Sequence, residues 1–390
     1  MGAVYIAGSA MTAFRRTPGR GIRELAVTAA NGALDDAGIS ADAVQRIFFG
    51  NAAGATVTHQ EMVRGEVAFR GSVLDGVSII NVENACASGS SALDLAHGLI
   101  AGGQADAILA VGAEQLTHDQ KERSFRALRG ASDIFEIGEA GADEDWTQSL
   151  LMTYYAEEAR EFGDRTGATV EDFARVAVKN RAHAALNPDA QYRTPQTLED
   201  VMGARLIADP LTLSMCSPMT DGGAAILLCS EAFARRHIDG PLVRVRGVEL
   251  RGARAGQHPV TAAADAVVES SGIGVSEIDV LELHDAAAPA ELIQYSQIGL
   301  VREGDEHVIL RSGQTQLGGS TPVNTSGGLL SRGHAIGATG LAQIVELTAQ
   351  LRGRAGERQV EDATRAMAVN TGGWFGGDYA VAVATILERA

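Results

Sequence analysis

Two stretches far apart in this chain repeat one another. Residues 26–49 read AVTAANGALDDAGISADAVQRIFF, and residues 260–283 read VTAAADAVVESSGIGVSEIDVLEL. Each spells an alanine-rich helix, a turn at Gly38 or Gly272, a short polar step and an apolar strand. Apolar positions correspond at a constant offset: Leu34 with Val268, Val44 with Ile278, Ile47 with Leu281, Phe49 with Leu283. A strand-like run precedes each helix, VYIAG at 4–8 and LVRVRGVEL at 242–250. Alternating helices and apolar strands call for sheets flanked by helices, so the repeat predicts an α/β fold of two pseudo-equivalent halves.

The pairing extends further. A helix over 90–102 and a strand over 107–111 match a helix over 340–352 and a strand over 366–369. The first half is expected to span 1–120 plus 206–240, and the second 241–390. Residues 121–205 interrupt the first half. They are charged, with periodic apolar positions (TYYAEEAREFG, TVEDFARVAVKNRAHAAL), which predicts an inserted helical lobe and not a linker. A plain dinucleotide-binding fold is disfavoured. No G-x-G-x-x-G follows a strand, and the glycines of GHAIGATG have the wrong spacing.

Composition narrows the function. A formal net charge of −17 leaves no positive field for a general nucleic-acid binder. No apolar stretch approaches a membrane span, and the start MGAVYIAGSAMTAF lacks the basic region and long apolar segment of a secretion signal. The three cysteines, Cys86, Cys216 and Cys229, are odd in number and show no CxxC spacing, which suits a reducing compartment and predicts no metal site. Cytoplasm is the expectation.

If the halves are equivalent, their loops should meet at one site. Four stand out: NACAS at 84–88, LHDAAAP at 283–289, NTSGGLLSRGHAIGATG at 324–340 and NTGGWFGG at 370–377. Cys86 falls between an apolar run and a helix start, where the helix dipole is expected to favour a thiolate. Ala, Ser and Gly around it let a carbonyl approach the sulfur. His334 sits among five glycines, Gly327, Gly328, Gly333, Gly337 and Gly340. Such a loop is poor packing for an imidazole but brings backbone close to a ligand, and the histidine can take a thiol proton. His284 ends a repeat strand, in line with Asn51 of the first copy. Asp285 is read as the cap of the helix that follows it, with orientation of the imidazole as the alternative. Gly372 and Gly373 offer N–H groups to an oxyanion or form a tight turn. His97, Cys216 and Cys229 are read as packing residues.

Taken together, CAS at 86–88, HDA at 284–286, SGG at 326–328 with GHAIGATG at 333–340, and TDGGAA at 220–225 resemble the thiolase superfamily, within it the sterol-carrier-protein type. The resemblance implies a five-layered αβαβα fold and a homodimer. It implies an acyl-CoA C-acyltransferase with coenzyme A as co-substrate and no bound cofactor. In that family the cysteine matching Cys86 is acylated, the histidine matching His334 activates it, and the residue matching His284 binds the thioester oxygen. Backbone matching Cys86 and Gly372 forms a second oxyanion hole. Some relatives work with a small zinc-ribbon/OB-fold companion.

The sequence departs from the pattern where a second cysteine moves the α-proton. Asn370 stands at one usual position and Ala286 at the other, and Ala335 replaces the proline of GHP. Two routes remain: His284 and His334 share enolate stabilisation and proton transfer, or substrate, water or Asn370 supplies what the thiol did. Asn370 cannot titrate, so it can only orient or hydrogen-bond. A thiolase-fold lyase working by retro-aldol cleavage and a non-catalytic acyl-CoA binder are the alternative functions. Basic residues of KERSFRALRG (121–130) are expected to meet the CoA phosphates. Tyr154, Tyr155, Trp146, Trp374 and Phe375 are expected either to line the acyl pocket or to fill core.

Overall fold

A computed structural model describes residues 2–17, 19–138 and 149–390. Among these residues eleven strands follow one another: β1 Val4–Met11, β2 Arg46–Gly50, β3 Ile79–Val82, β4 Ala107–Gln115, β5 Leu206–Ala208, β6 Leu211–Thr212, β7 Asp221–Ser230, β8 Val243–Gly252, β9 Val280–Glu282, β10 Arg365–Phe375 and β11 Asp378–Arg389. Strands β5 and β6 form a two-stranded ribbon, and the other nine form one sheet in the order β3-β2-β4-β7-β1-β8-β11-β10-β9.

That order is a near-palindrome about the β1–β8 pair, where Val4 faces Val245 and Ile6 faces Val243. In each half the short strand after the outer helix, β2 or β9, pairs parallel with the strand after the inner helix, β4 or β10. Beyond β9 an isolated parallel bridge, Leu281 to Val323, takes the place that β3 holds beside β2. The repeated segments fold alike. Helices Ile22–Ala37 and Pro259–Ser271 both end on a left-handed glycine, Gly38 at φ 69° and Gly272 at φ 69°, followed by a single 3-10 turn and a strand. Glycine takes this conformation without a Cβ penalty, so the repeat's turn is set by chemistry local to it. The constant offset that pairs these two glycines aligns Asn51 with Asp285 and puts His284 opposite Gly50.

Side-chain alternation sorts the layers. Ile47, Phe49, Leu109 and Val111 pack outward against the helix Ile22–Ala37. Their neighbours Phe48, Ile108 and Ala110 turn inward. There they share one core with Leu93 and Ala96 of helix Ser88–Ala101, Leu341 and Leu347 of helix Ile336–Leu351, and Ala366, Ala368, Val381 and Val383 of the second half. Met367, Val369, Ala382 and Ala384 face the opposite way, towards the helix Pro259–Ser271. The sequence from outside to outside is helix, sheet, helix pair, sheet, helix, with the sheet continuous through β1 and β8.

Between β4 and β7 the chain leaves the sheet and builds the helices Lys121–Arg129, Ile134–Ile137, Leu150–Thr166, Val170–Ala185 and Leu198–Met202. In sequence this segment interrupts the first half; in space its helix Lys121–Arg129 stays on that half, with Ala127 and Leu128 against Val57 and Leu116, while Leu150–Thr166 and Val170–Ala185 pack on the second. Phe162, Phe173 and Val176 bury themselves with Leu283, Leu292, Tyr295 and Leu329. Lys179 crosses the same boundary to Glu291 at 2.7 Å, both side chains out of solvent. Among the described residues no helix is long and apolar enough to cross a membrane.

Candidate active site

The inner helices carry the site. Cys86 occupies a 3-10 turn, Ala85–Ala87, directly before helix Ser88–Ala101. Ala85 takes φ 48°, a left-handed value that throws the following side chain off the strand axis. The turn is tied by its own small residues: Asn84 N donates to Ser88 Oγ (2.9 Å), Ser88 Oγ to Ala85 O (2.7 Å) and Ala87 N to Asn84 O (2.9 Å). Gly372 lies against it so closely that a Cβ there would stand 2.2 Å from Asn84 O and 2.7 Å from Ala87 N. Gly372 and Gly373 are inside β10, and the strand-to-strand turn comes later, at Gly376 and Gly377. The tight-turn reading of Gly372 therefore fails, and close approach is what demands the glycine.

His334 precedes the other inner helix, Ile336–Leu351, as Cys86 precedes its own. Its Nε2 lies 3.2 Å from Cys86 Sγ, and its Nδ1 lies 2.8 Å from Thr339 Oγ1. The backbone is fixed from the TDGGAA segment and the residue before it: Met219 bridges His334, and Thr220 Oγ1 accepts from His334 N (3.2 Å). His284 follows β9, and its ring meets the His334 ring edge-on with centroids 5.2 Å apart. Asn370 Nδ2 lies 2.9 Å from His284 Nδ1, and Ser90 Oγ lies 2.7 Å from Asn370 Oδ1. Asn370 thus orients an imidazole, one of the two roles left open to it by its chemistry. One donor atom from each of Cys86, His284 and His334 lies within 4.8 Å of the others; among the described residues this trio is the only His/Cys/Asp/Glu group spaced to hold a metal ion.

Electrostatics overturn one expectation. The helix start does not make Cys86 a resting thiolate. Its sulfur is packed with Ala53, Val57, Leu116 and Ile336. Burial, reinforced by the Glu114 and Glu83 carboxylates, pushes its thiol above the usual range. Burial likewise draws His334 down to about 3, helped by the Arg332 guanidinium, and holds His284 well below its usual value, helped by His334. Desolvation of a charged form outweighs a terminal helix dipole at a site this dry. The resting pair is a neutral thiol donating to a neutral imidazole.

Asp285 also departs from its expected role. It does not cap the helix Ala288–Gln297, whose N-cap, Ala287, makes no side-chain cap bond. Its buried carboxylate accepts instead from Leu329 N (2.6 Å), Leu330 N (3.3 Å) and Asn180 Nδ2 (2.7 Å). It therefore anchors the glycine loop that leads to His334. Sequence reading passed over Thr339, Ser90 and Glu114. Thr339 lies inside a motif already singled out, five residues after His334, and Ser90 lies two residues beyond another, four after Cys86. Glu114 had no local signal. It is fully buried, receives Asn51 Nδ2 (2.6 Å), Ala52 N (3.0 Å), Ala53 N (3.2 Å) and Gly337 N (3.2 Å), and burial lifts its carboxyl to about 7.

An aromatic group flanks His284. Tyr154 stacks on Trp374 (5.5 Å, 11°), Tyr155 meets Trp374 edge-on (5.6 Å), and Tyr379 lies between Trp374 (5.0 Å) and His284 (6.4 Å). Phe375 points to solvent, 41 % exposed, and Trp146 is outside the described residues. Tyr379 had not been singled out.

The sequence model of the thiolase N-terminal domain matches residues 4–232, and that of the thiolase C-terminal domain-like family matches residues 252–389. The chain belongs to the thiolase family. Chicken sterol carrier protein 2 is 34 % identical to this thiolase over 390 residues, covering 95 % of the chain and 69 % of the relative. An acetyl-CoA acetyltransferase of Methanothermobacter thermautotrophicus is 33 % identical, covering 97 % and 98 %. The benzoylsuccinyl-CoA thiolase subunit BbsB of Thauera aromatica is 35 % identical, covering 85 % and 84 %. Among solved structures, an Ltp2-ChsH2(DUF35) aldolase superposes with a TM-score of 0.79 at 25 % identity, covering 99 % of this thiolase and 98 % of that chain.

Proposed function

We propose that this thiolase is an acyl-CoA C-acyltransferase that forms an acyl-cysteine at Cys86, in thiolytic cleavage of a 3-oxoacyl-CoA or in the reverse condensation. The observation that carries the reading is the 3.2 Å contact between Cys86 Sγ and His334 Nε2 in a neutral pair. As the sulfur attacks a thioester carbonyl, its proton passes to Nε2, so charge appears only when substrate is there to receive it. With Nδ1 taken by Asn370, His284 presents Nε2–H to the developing oxyanion. Backbone of Cys86 and Gly372, the latter pressed on Asn84 and Ala87 either side of the cysteine, is assigned the second oxyanion hole. CoA thiol then releases the acyl group, with His334 accepting its proton. We assign residues 1–120 plus 206–240 and 241–390 to the two catalytic halves.

The aromatic group beside His284 supports a bulky acyl chain. Helix Lys121–Arg129 remains our candidate for the CoA phosphates, since its Ala127 and Leu128 pack on the apolar cluster around Cys86. A homodimer is supported by the edge strand β3, which exposes Ile80 and is tied by Asn81 to Gly65, just after the exposed Met62 and Val63. A companion subunit is supported by the two-component Ltp2-ChsH2(DUF35) assembly. Three free cysteines suit a reducing cytoplasm.

Mass spectrometry after incubation with a panel of acyl-CoAs, with and without candidate companion proteins, tests the reading. An acyl adduct on Cys86, absent in Cys86→Ser, is expected; no adduct from any acyl-CoA sinks it. The aldolase relative favours a second reading, retro-aldol cleavage without an acyl-enzyme. Turnover of a β-hydroxyacyl-CoA that survives Cys86→Ala would establish that one instead.

A further inference from the structure

Ser90 holds one hydroxyl proton between two acceptors. Its Oγ lies 2.7 Å from Asn370 Oδ1 and 3.0 Å from Ala87 O, and it can donate to only one of them at a time. The asparagine amide is nearly symmetric in shape, so its two ends can exchange places. If Ser90 donates to Asn370 Oδ1, then Asn370 Nδ2 donates to His284 Nδ1 and the imidazole proton sits on Nε2. If Ser90 donates to Ala87 O, its lone pair accepts Asn370 Nδ2. Asn370 Oδ1 then accepts from His284 Nδ1–H, and Nε2 carries a lone pair. In both arrangements Ser90 Oγ, the two ends of the Asn370 amide and His284 Nδ1 each keep a partner. His284 is kept neutral by burial, which is the condition for a tautomer choice to exist. Its backbone is held by Gln294, which receives His284 N (3.2 Å) and donates to His284 O (2.8 Å), so the ring has no need to move.

We propose that Asn370 and Ser90 form a two-position switch that makes His284 a hydrogen-bond donor in one half-reaction and a base in the other. The proposal rests on the acyltransferase reading and assigns positioning roles to Asn370 and Ser90. In the donor state Nε2–H binds the thioester oxygen while Cys86 is acylated. In the base state the Nε2 lone pair takes a proton from the carbon α to a second thioester, and the C–H electron pair moves into the enolate. The enolate carbon attacks the acyl carbonyl on Cys86, the C–S bond breaks, and the sulfur leaves as a thiolate. That sulfur needs one proton, and His284, beside His334, holds the one just taken from carbon. The second cysteine of the family pattern is thereby replaced by a histidine with two tautomers.

Two measurements test the switch. Nitrogen-15 spectra of histidine-labelled protein, with His284 assigned through His284→Gln, report its tautomer without any turnover. Asn370→Asp can only accept at Nδ1, so it should move His284 to the Nδ1–H form, and Ser90→Ala should leave a mixture of both. Exchange of acetyl-CoA α-protons in deuterium oxide reads the base role, and acylation of Cys86 reads the donor role. Asn370→Asp should lower acylation at least tenfold while α-proton exchange falls by less than threefold. The same tautomer in wild type, Asn370→Asp and Ser90→Ala, or equal loss of both half-reactions in Asn370→Asp, overturns the switch. A tautomer shift in a protein that no acyl-CoA acylates would instead overturn the acyltransferase reading and the half-reactions assigned to the switch, leaving only the tautomer exchange.

Discussion

Cys86 shows what burial does to a nucleophile chosen by motif. A thiolate–imidazolium pair would react with iodoacetamide at a rate that stays flat from about pH 5 to 8. The neutral pair found here predicts a different profile. Both sulfur and imidazole resist charge, one pushed up and the other drawn down. Alkylation of Cys86, followed by peptide mass spectrometry, should therefore rise roughly tenfold per pH unit across neutrality with no plateau, because thiolate is the reacting form. A low-pH plateau would show that the pair is ionised at rest. The residues that make contact with the site were legible where they sat in a motif, as Cys86, His284 and His334 did. Asp285 was legible as polar and important, but its partner was not, because Leu329 and Leu330 lie more than forty residues away along the chain.

The repeat was readable at the level of elements because each copy carries its own instructions. Alanine faces, a left-handed glycine and an alternating strand act within a few residues of one another. Glycines inside strands and helices were harder to interpret, since their reason is a neighbour from elsewhere. Gly112 is pressed by Gly337, where a Cβ would stand 2.3 Å from the carbonyl oxygen, and Gly372 is pressed by Asn84. Adding one methyl at Gly372 should displace the turn that holds Cys86. Overpacking of this kind costs about 1–3 kcal/mol of stability. A displacement of about 1 Å at the sulfur costs on the order of a hundredfold in rate. Gly372→Ala is thus expected to lower the Tm modestly and acylation of Cys86 severely, read by thermal denaturation and stopped-flow acylation. Wild-type acylation in that variant would mean the close approach has no bearing on the nucleophile.

At the scale of the whole molecule, the helices Leu150–Thr166 and Val170–Ala185 are packed into the core of the second half. Lys179 reaches from helix Val170–Ala185 to Glu291 in helix Ala288–Gln297 and also donates to Val323 O (2.8 Å). Lys179→Met leaves Glu291 buried without its cation, which typically costs about 3–5 kcal/mol. Urea unfolding should show that loss, and a stability within about 1 kcal/mol of wild type would mean the pair contributes no docking energy. Acid should weaken the fold through its buried histidines. His183 and His334 are both drawn down to about 3, and His284 lies well below its usual value. Below the usual histidine range the unfolded chain takes up these protons and the folded one does not, so the histidines' share of stability is full above about pH 6.5 and declines from there towards pH 3. Glu114 and Glu282, lifted to about 7 by burial, act in the opposite sense as pH falls through 7. Lowering the pH from 7 to 5 should therefore change the urea midpoint less favourably in wild type than in His183→Gln, and an equal change in both would contradict the histidine's share. The amino-acid order by itself determined the two αβ copies, the turns between their elements and the cluster of small residues around one cysteine, since these depend on backbone preferences and side-chain alternation over a few positions. Only the tertiary structure decided that the sulfur rests protonated, that Asp285 serves the histidine loop, and that two helices of the lobe pack on the opposite half. Desolvation and long-range hydrogen bonds are set by whichever distant segments close over a group, and no local pattern encodes them.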